Sequence, residues 1–76
     1  MHVPYNERIR NLRTENRLSQ QKVAAVLGVS PRTYSDYETG QVRLSVEGMV
    51  RLARFYDVSL NFLAGISNIR SPYPEL

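Results

Sequence analysis

Residues 19–40 constrain the fold of this chain most, because start and stop signals for two short helices follow each other closely there. Ser19 is a favourable N-cap, and an apolar stripe then runs to Gly28, whose freedom to adopt a left-handed conformation favours a turn. Ser30 followed by Pro31 repeats the start signal, since the missing N–H of proline costs nothing in the first helical turn. The segment is therefore predicted to form two helices joined by a tight glycine turn.

Three further helices are predicted because apolar residues recur with the helical period elsewhere in the chain. Ser45 and Ser59 are the predicted N-caps of the fourth and fifth helices, and Gly65 is predicted to help end the fifth. The predicted apolar faces of the first, fourth and fifth helices are Tyr5, Ile9 and Leu12; Val46, Met49, Val50 and Ala53; and Leu60, Phe62, Leu63 and Ile66. Gly48 is expected to weaken the fourth helix because glycine has a low helix propensity.

The same pattern predicts a single all-α domain. No stretch alternates apolar and polar residues as a half-buried strand does, and the predicted loops are short. We therefore expect a compact five-helix domain over residues 1–66. The remaining tail, residues 67–76, contains two prolines and is predicted to be extended or flexible, although Ile69 and Tyr73 can dock on a surface.

Small size and composition exclude several classes of protein. With 76 residues the chain is long enough for one domain, and it contains no cysteine, which excludes disulfides and thiolate metal sites. The one histidine, His2, lies near the N-terminus and is expected to be solvated, so neither a metal site nor a supported acid–base pair can be built on it. We therefore expect no enzymatic activity, no metal and no cofactor.

No targeting or membrane-spanning segment is predicted. No apolar run approaches the roughly 20 residues that a membrane-spanning helix needs. Residues 1–7 lack the basic start, the apolar stretch and the small-residue cleavage pattern of a secretory signal. The expectation is a cytoplasmic protein with no membrane partner.

Positive charge points to an anionic partner. The formal net charge is +3, and nine of the ten basic residues are arginine. Arginine presents a planar fork of donors that suits phosphate and guanine, which favours nucleic acid. A solvated charged face, or the codon usage of a GC-rich genome, accounts for the same composition, so charge alone does not decide between them.

The pattern of residues 19–40 resembles the helix-turn-helix of the Cro and phage-repressor type, the XRE family of bacterial regulators. That segment reads S-Q-Q-K-V-A-A-V-L-G-V-S-P-R-T-Y-S-D-Y-E-T-G. The resemblance extends from R-I-R-N-L-R-T-E-N-R-L-S-Q at residues 8–20 to V-S-L-N-F-L-A-G at residues 58–65. It implies a lambda-repressor-like fold of bacterial or phage origin that binds operator sequences in double-stranded DNA, commonly as a repressor and a homodimer.

The resemblance also implies which residues touch base edges, with the third helix in the major groove. These base-reading positions are Pro31, Arg32, Thr33 and Asp36. Pro31 offers only an apolar contact, for example to a thymine methyl, whereas Arg32 can bind O6 and N7 of guanine or, alternatively, a phosphate or solvent. Asp36 can accept from cytosine N4 or hold Arg32 in position across one helical turn, and we favour the orienting role.

A second group implied by the resemblance and by helix electrostatics contacts the DNA backbone. Its members are Ser19, Gln20, Lys22, Ser35, Tyr37 and Arg43. Tyr37 fits a half-buried core position equally well, because it shares one side of the third helix with Tyr34 and Glu38. The resemblance pairs Glu38 with Arg13 of the first helix as a structural clamp, since an unpaired carboxylate on the inner side would be costly.

Apolar residues near the C-terminus are candidates for a dimer interface. They are Leu60, Phe62, Ile66, Ile69 and Tyr73. The alternative is that they form ordinary core and a disordered end. A second function open at this point is an antitoxin-like or adaptor module that uses the same fold to bind another protein. No small-molecule substrate is expected, because no effector domain follows the predicted DNA-binding unit.

Overall fold

Five α-helices build the part of the chain that the computed structural model describes, residues 3–74. They are α1 (Tyr5–Glu15), α2 (Gln20–Leu27), α3 (Pro31–Thr39), α4 (Val46–Tyr56) and α5 (Leu60–Leu63). No strand occurs within these residues, so the prediction of an all-α, five-helix fold is confirmed. His2, predicted to be solvated, lies outside the described residues.

Serine side chains begin four of the five helices. The hydroxyl oxygens of Ser19, Ser30, Ser45 and Ser59 each accept a hydrogen bond of 3.0–3.1 Å from the backbone N–H three residues further on. This N-cap satisfies one of the N–H groups that a helix leaves without an internal acceptor, which explains why short helices form at these positions. All four predicted N-caps are confirmed.

The core forms where the inner faces of the five helices meet. Its buried apolar residues are Ile9, Leu12, Val23, Ala24, Tyr34, Leu52, Ala53, Val58, Phe62 and Leu63. The helix α3 packs against α1 and α2, and α4 packs against α2 and α5. The exposed side of α3 is therefore held on a scaffold of two other helices.

The predicted inner face of α4 is wrong by part of a turn. Val46 is 82% exposed, whereas Leu52, absent from the predicted face, is fully buried beside Ala53. The apolar residues of α4 fit two overlapping stripes, and packing against α2 and α5 selects the one centred on Leu52. Gly48 is buried in α4. A Cβ at this position would lie 2.7 Å from Leu44 Cδ1, so the small size of glycine makes room for the Leu44 side chain.

The C-terminal segment, residues 67–74, has no helix or strand but is tied to the helices. Arg70 Nη2 lies 2.5 Å from Glu15 Oε2 on α1. The backbone N–H of Tyr73 donates to Asp57 Oδ1 at 3.1 Å, and the Tyr73 ring packs against the core. No helix in residues 3–74 is both long and apolar enough to cross a membrane.

Candidate nucleic-acid interface

A tight left-handed turn sets the angle between α2 and α3. Gly28 has φ +72°, and the backbone N–H of Val29 donates to Ala24 O at 3.0 Å, which closes the C-terminus of α2. Ser30 caps α3 directly afterwards, and its hydroxyl donates to Thr33 Oγ1 at 3.0 Å. With so few residues between the helices, the orientation of α3 follows from the turn and from what its inner face contacts.

That inner face is held by an ion pair between α1 and α3, the Arg13–Glu38 clamp. Arg13 Nε donates to Glu38 Oε2 at 2.6 Å and Nη2 donates to Oε1 at 3.1 Å. The third guanidinium nitrogen donates to Leu18 O at 2.9 Å. The Glu38 side chain is only 3% exposed and that of Arg13 15%. Two parallel hydrogen bonds fix the relative orientation as well as the separation of the two side chains.

Two further donors to Glu38 were missed in the sequence. Gln20 Nε2 donates to Glu38 Oε1 at 3.1 Å, so α2 joins the clamp as well. Asn6 Nδ2 donates to the Glu38 backbone oxygen at 3.2 Å. Further donors to the carboxylate could have been expected from the sequence, because the two oxygens of a buried carboxylate can accept more hydrogen bonds than Arg13 alone donates. Gln20, predicted to contact phosphate, thus has its side-chain amide committed inside the fold.

The clamp is charged throughout the neutral pH range. Burial raises the pKa of Glu38, but the favourable interactions of its carboxylate, of which the hydrogen bond from Arg13 is the strongest, outweigh burial and leave this pKa below its ordinary value. The hydrogen bond to Glu38 raises the pKa of Arg13. Burial and the nearby Glu38 charge together raise the pKa of Tyr34, and they raise that of Tyr56 to about 12. These shifts describe a fixed structural pair with neutral tyrosines around it.

The outward side of α3 carries the predicted base-reading residues. Pro31 and Arg32 are exposed at its first turn, and Thr33 and Asp36 are half-buried beside them. Tyr34, on the opposite side, is fully buried and meets Tyr37 edge-to-face, with the ring centroids 6.4 Å apart. The structure therefore brings the four predicted residues onto one accessible side of α3.

The predicted pairing of Asp36 with Arg32 is not formed. Within residues 3–74 the Arg32 guanidinium makes neither an ion pair nor a hydrogen bond. Both side chains lie next to solvent, where an ion pair one turn apart on a helix gains only a few tenths of a kcal/mol, about 0.3–0.5. Asp36 instead contributes its backbone oxygen, which accepts from Val42 N at 3.2 Å and anchors the loop after α3.

The predicted phosphate contacts lie on α3 and on the segments next to it, and they differ in accessibility. The exposed members are Ser19, Lys22 and Arg43, and the half-buried ones are Gln20, Ser35 and Tyr37. Neither Lys22 nor Arg43 forms an ion pair with an acidic residue between positions 3 and 74. Helix geometry also leaves the N–H groups of the first turn of α2 without internal acceptors, and Ser19 caps only one of them. This edge of the fold is suited to an anion.

Comparison with known protein families identifies the family to which this chain belongs. The helix-turn-helix family model matches residues 9–63, which cover α2, α3, α4 and α5 and most of α1. The chain belongs to this helix-turn-helix family. The resemblance inferred from the sequence is confirmed.

Relatives of this chain come from bacteria and phage. It is 31% identical over 71 residues to YobD, an uncharacterized HTH-type transcriptional regulator of Bacillus subtilis, covering 93% of this chain and 63% of YobD. It is 39% identical over 56 residues to the cryptic phage CTXphi transcriptional repressor RstR of Vibrio cholerae, covering 74% of this chain and 50% of RstR. The chain thus spans between one half and two thirds of the length of these relatives.

Solved structures share the fold of this chain. A transcriptional regulator from Listeria innocua superposes with a TM-score of 0.80 at 24% identity, over 99% of this chain and 68% of that one. The P22 c2 repressor in complex with the synthetic operator 9T superposes with a TM-score of 0.73 at 24% identity, over 80% of this chain and 92% of the repressor. The predicted lambda-repressor-like fold is confirmed.

The candidate dimer residues of this chain divide into surface and core. Ile66 and Ile69 are 68% and 71% exposed, and Leu60 is 38% exposed and lines a groove with the half-buried Tyr73. Phe62 is 3% exposed, and the Arg8 guanidinium lies 4.1 Å from its ring centroid. Phe62 is therefore a core residue, and the prediction that it contributes to a dimer interface was wrong. Helical spacing alone does not distinguish the two sides of a one-turn helix.

Proposed function

We propose that this regulator binds operator sequences in double-stranded DNA with α3 in the major groove and represses transcription. The observation that carries the proposal is the contrast between the two sides of α3. Its inner side is clamped through Glu38, whereas its outer side presents Arg32 with no protein partner among residues 3–74. A rigid helix with a free guanidinium at its first turn suits a helix that enters the major groove by its N-terminal residues.

Individual residues of α3 have distinct proposed roles. Arg32 donates to O6 and N7 of a guanine, and Pro31 packs on a thymine methyl. Thr33 already accepts a hydrogen bond from Ser30, so its methyl group and remaining hydroxyl proton are what it offers to DNA. Asp36 accepts a hydrogen bond from cytosine N4, because its carboxylate is not paired with Arg32 in this structure and is available for this contact.

Contacts to the DNA backbone in the proposal come from residues on α3 and on the segments next to it. The exposed cations Lys22 and Arg43 neutralise phosphates, and the start of α2 supplies free N–H groups beside Ser19. The half-buried residues Ser35, Tyr37 and Gln20 contribute at most through the parts of their side chains that face solvent. These contacts set the position of α3 without reading sequence.

The proposal includes binding as a homodimer to two half-sites about 34 Å apart, because one small domain supplies too few contacts for tight binding. Leu60, Ile66, Ile69 and Tyr73 are the proposed contacts. Equilibrium sedimentation on operator DNA tests this assignment. Ile69→Ser should weaken dimer formation, and Val46→Ser, a matched loss of an exposed apolar residue on α4, should not. Equal effects of the two substitutions would count against the assigned surface.

Selection of bound sequences from random DNA tests the base-reading role of Arg32. Arg32→Ala should relax the preference at one base pair by about 1–3 kcal/mol while leaving the rest of the selected site unchanged. Arg10→Ala removes an equally exposed arginine from α1 and is the matched control. A uniform loss of affinity for all sequences in Arg32→Ala would reduce this residue to a phosphate contact and overturn its proposed role.

A protein-interaction or antitoxin-like module is the second candidate, and the strong exposure of Ile66 and Ile69 favours it. The salt dependence of DNA binding separates the two. Several phosphate contacts predict a loss of about a thousandfold between low and physiological salt, whereas a flat response favours the interaction module.

The proposal also covers the cellular setting. We place the protein in the cytoplasm, where bacterial operator DNA lies, with no membrane partner. Because the relatives are named as transcriptional regulators, the proposal includes no enzymatic activity, no cofactor and no small-molecule substrate.

A further inference from the structure

A groove runs between α1 and the C-terminal segment, apart from the residues assigned to DNA. Its apolar lining comes from Val3, Leu12 and Phe62, and its polar lining from Arg8, Asn11, Asn68 and Arg70. Its volume of about 320 Å³ lies at the lower end of the range for sites that bind small molecules, which is roughly 300–1,000 Å³.

The feature that sets this groove apart is a buried arginine that has no counter-ion in the described part of the chain. Arg8 is 7% exposed, yet it forms no ion pair with any residue from 3 to 74. Its guanidinium lies 4.1 Å from the Phe62 ring centroid, and its Nη2 donates to Asn68 Oδ1 at 3.1 Å. Its Nε is buried and has no hydrogen-bond partner. Buried charges are normally paired, so this guanidinium lacks the anion that its surroundings call for.

The charges around the groove define the anion. Arg70, the other cation of the lining, lies 5.2 Å from the Phe62 ring centroid but is already paired with Glu15 at 2.5 Å. The uncompensated charge is therefore that of Arg8 alone, which matches a single negative charge. Asn68 uses its oxygen toward Arg8, so its amide N–H groups are the donors left beside the guanidinium.

We propose that this groove binds a small organic monocarboxylate. The carboxylate accepts hydrogen bonds from the Arg8 guanidinium and the Asn68 amide, and a short apolar body lies against Phe62 and Leu12. Planar guanidinium and carboxylate groups match in shape, which favours a carboxylate over a spherical anion.

Such a ligand would link α1 to the C-terminal segment. Asn68 and Arg70 flank Ile69, one of the residues proposed for the dimer contact, so the occupied groove would stabilise the segment that carries it. This regulatory consequence rests on the proposed function. The binding itself does not, because it is measured on the protein without DNA.

Titration of the 15N-labelled full chain with benzoate, followed by amide chemical shifts at constant ionic strength, tests the site. Benzoate should shift the amides of the groove residues saturably, whereas benzamide and chloride should not. Acetate should bind more weakly than benzoate because it lacks the apolar body. Arg8→Gln should weaken benzoate binding by about tenfold or more, since a hydrogen-bonded charge is lost. Arg10→Gln, a neighbouring exposed arginine on α1, should change it less than about twofold.

Asn68→Asp keeps the test decisive if Arg8→Gln fails to fold. Asn68 is exposed, and an aspartate there supplies a carboxylate at the position from which Asn68 now accepts from Arg8. It should raise the melting temperature and weaken benzoate binding by about tenfold. Unchanged binding in Asn68→Asp, equal shifts with benzamide, or tighter binding of inorganic phosphate than of benzoate would each overturn the proposal.

Discussion

Breaking the Arg13–Glu38 clamp tests how this fold holds α3. In Arg13→Met the Glu38 carboxylate, 3% exposed, loses both hydrogen bonds from the guanidinium and keeps that from Gln20. Removing one partner of a buried pair costs about 3–5 kcal/mol, and the 15% exposure of Arg13 places the expected cost near the lower end, about 3 kcal/mol. A domain of this size has a total stability of roughly 4–11 kcal/mol, so the loss is a large part of the whole.

A second substitution separates the uncompensated charge from the lost packing. Glu38→Gln in the Arg13→Met background removes the buried charge, so the double variant should be more stable than the sum of the two single losses predicts, by about 2 kcal/mol. Arg51→Met is the matched control. Its ion pair with Glu47 joins side chains that are 53% and 79% exposed, so its loss should cost less than about 0.5 kcal/mol.

Thermal unfolding followed by circular dichroism measures these differences. For a domain of this size each kcal/mol corresponds to about 4–8 °C, so Arg13→Met should melt roughly 12–24 °C lower than the natural protein. A decrease no larger than that of Arg51→Met, or strictly additive losses in the double variant, would refute the reasoning that the pair is buried and coupled.

Three other predictions follow from buried or strained groups. The pKa of Glu38 is lowered in the folded state, so the ionised carboxylate stabilises the fold above the ordinary carboxyl pKa, and this stabilisation is lost as pH falls through the folded pKa. Urea unfolding at stepwise lower pH should show the falling free energy of unfolding, and Glu38→Gln should make that free energy less dependent on pH. Tyr56→Phe should raise the free energy of unfolding by about 1 kcal/mol, because it removes a buried hydroxyl that has no hydrogen-bond partner in residues 3–74. Tyr5→Phe should lower the free energy of unfolding by about 1 kcal/mol, because the Tyr5 hydroxyl accepts a hydrogen bond from the backbone N–H of Leu44. A destabilised Tyr56→Phe would contradict this. Gly65→Ala should destabilise the fold more than Gly28→Ala. Both glycines have a left-handed backbone, which costs an alanine about 1–2 kcal/mol, but of the two only Gly65 would place the new Cβ against a backbone carbonyl oxygen. Equal melting temperatures of the two variants would contradict this steric argument.

Helix boundaries were predictable because the forces that set them are local. A serine that caps a helix contacts a backbone N–H three residues away, and a glycine such as Gly28 ends a helix through its own dihedral angles. Nothing distant in the chain competes strongly with these interactions. For the same reason the helix-turn-helix pattern and the outward side of α3 could be located from residue order alone.

Residue roles that depend on packing were less predictable. Val46 and Leu52 both belong to apolar stripes of α4, and only contact with α2 and α5 makes one exposed and the other buried. Phe62 lies in the core because α1 and the C-terminal segment place Arg8 and Arg70 beside its ring. Spacing along one helix carries no information about such neighbours.

The sequence by itself determined the helices, their caps and the order of the segments, because each rests on interactions within a few residues. It also indicated the side of α3 that carries Arg32. Only the tertiary structure decided that Gln20 supports the clamp, that Arg32 and Asp36 do not pair with each other, and that Arg8 is buried without a counter-ion among residues 3–74. Hydrogen bonds and charge pairing depend on distances of a few ångströms between residues far apart in the chain, and those distances exist only once the helices have packed.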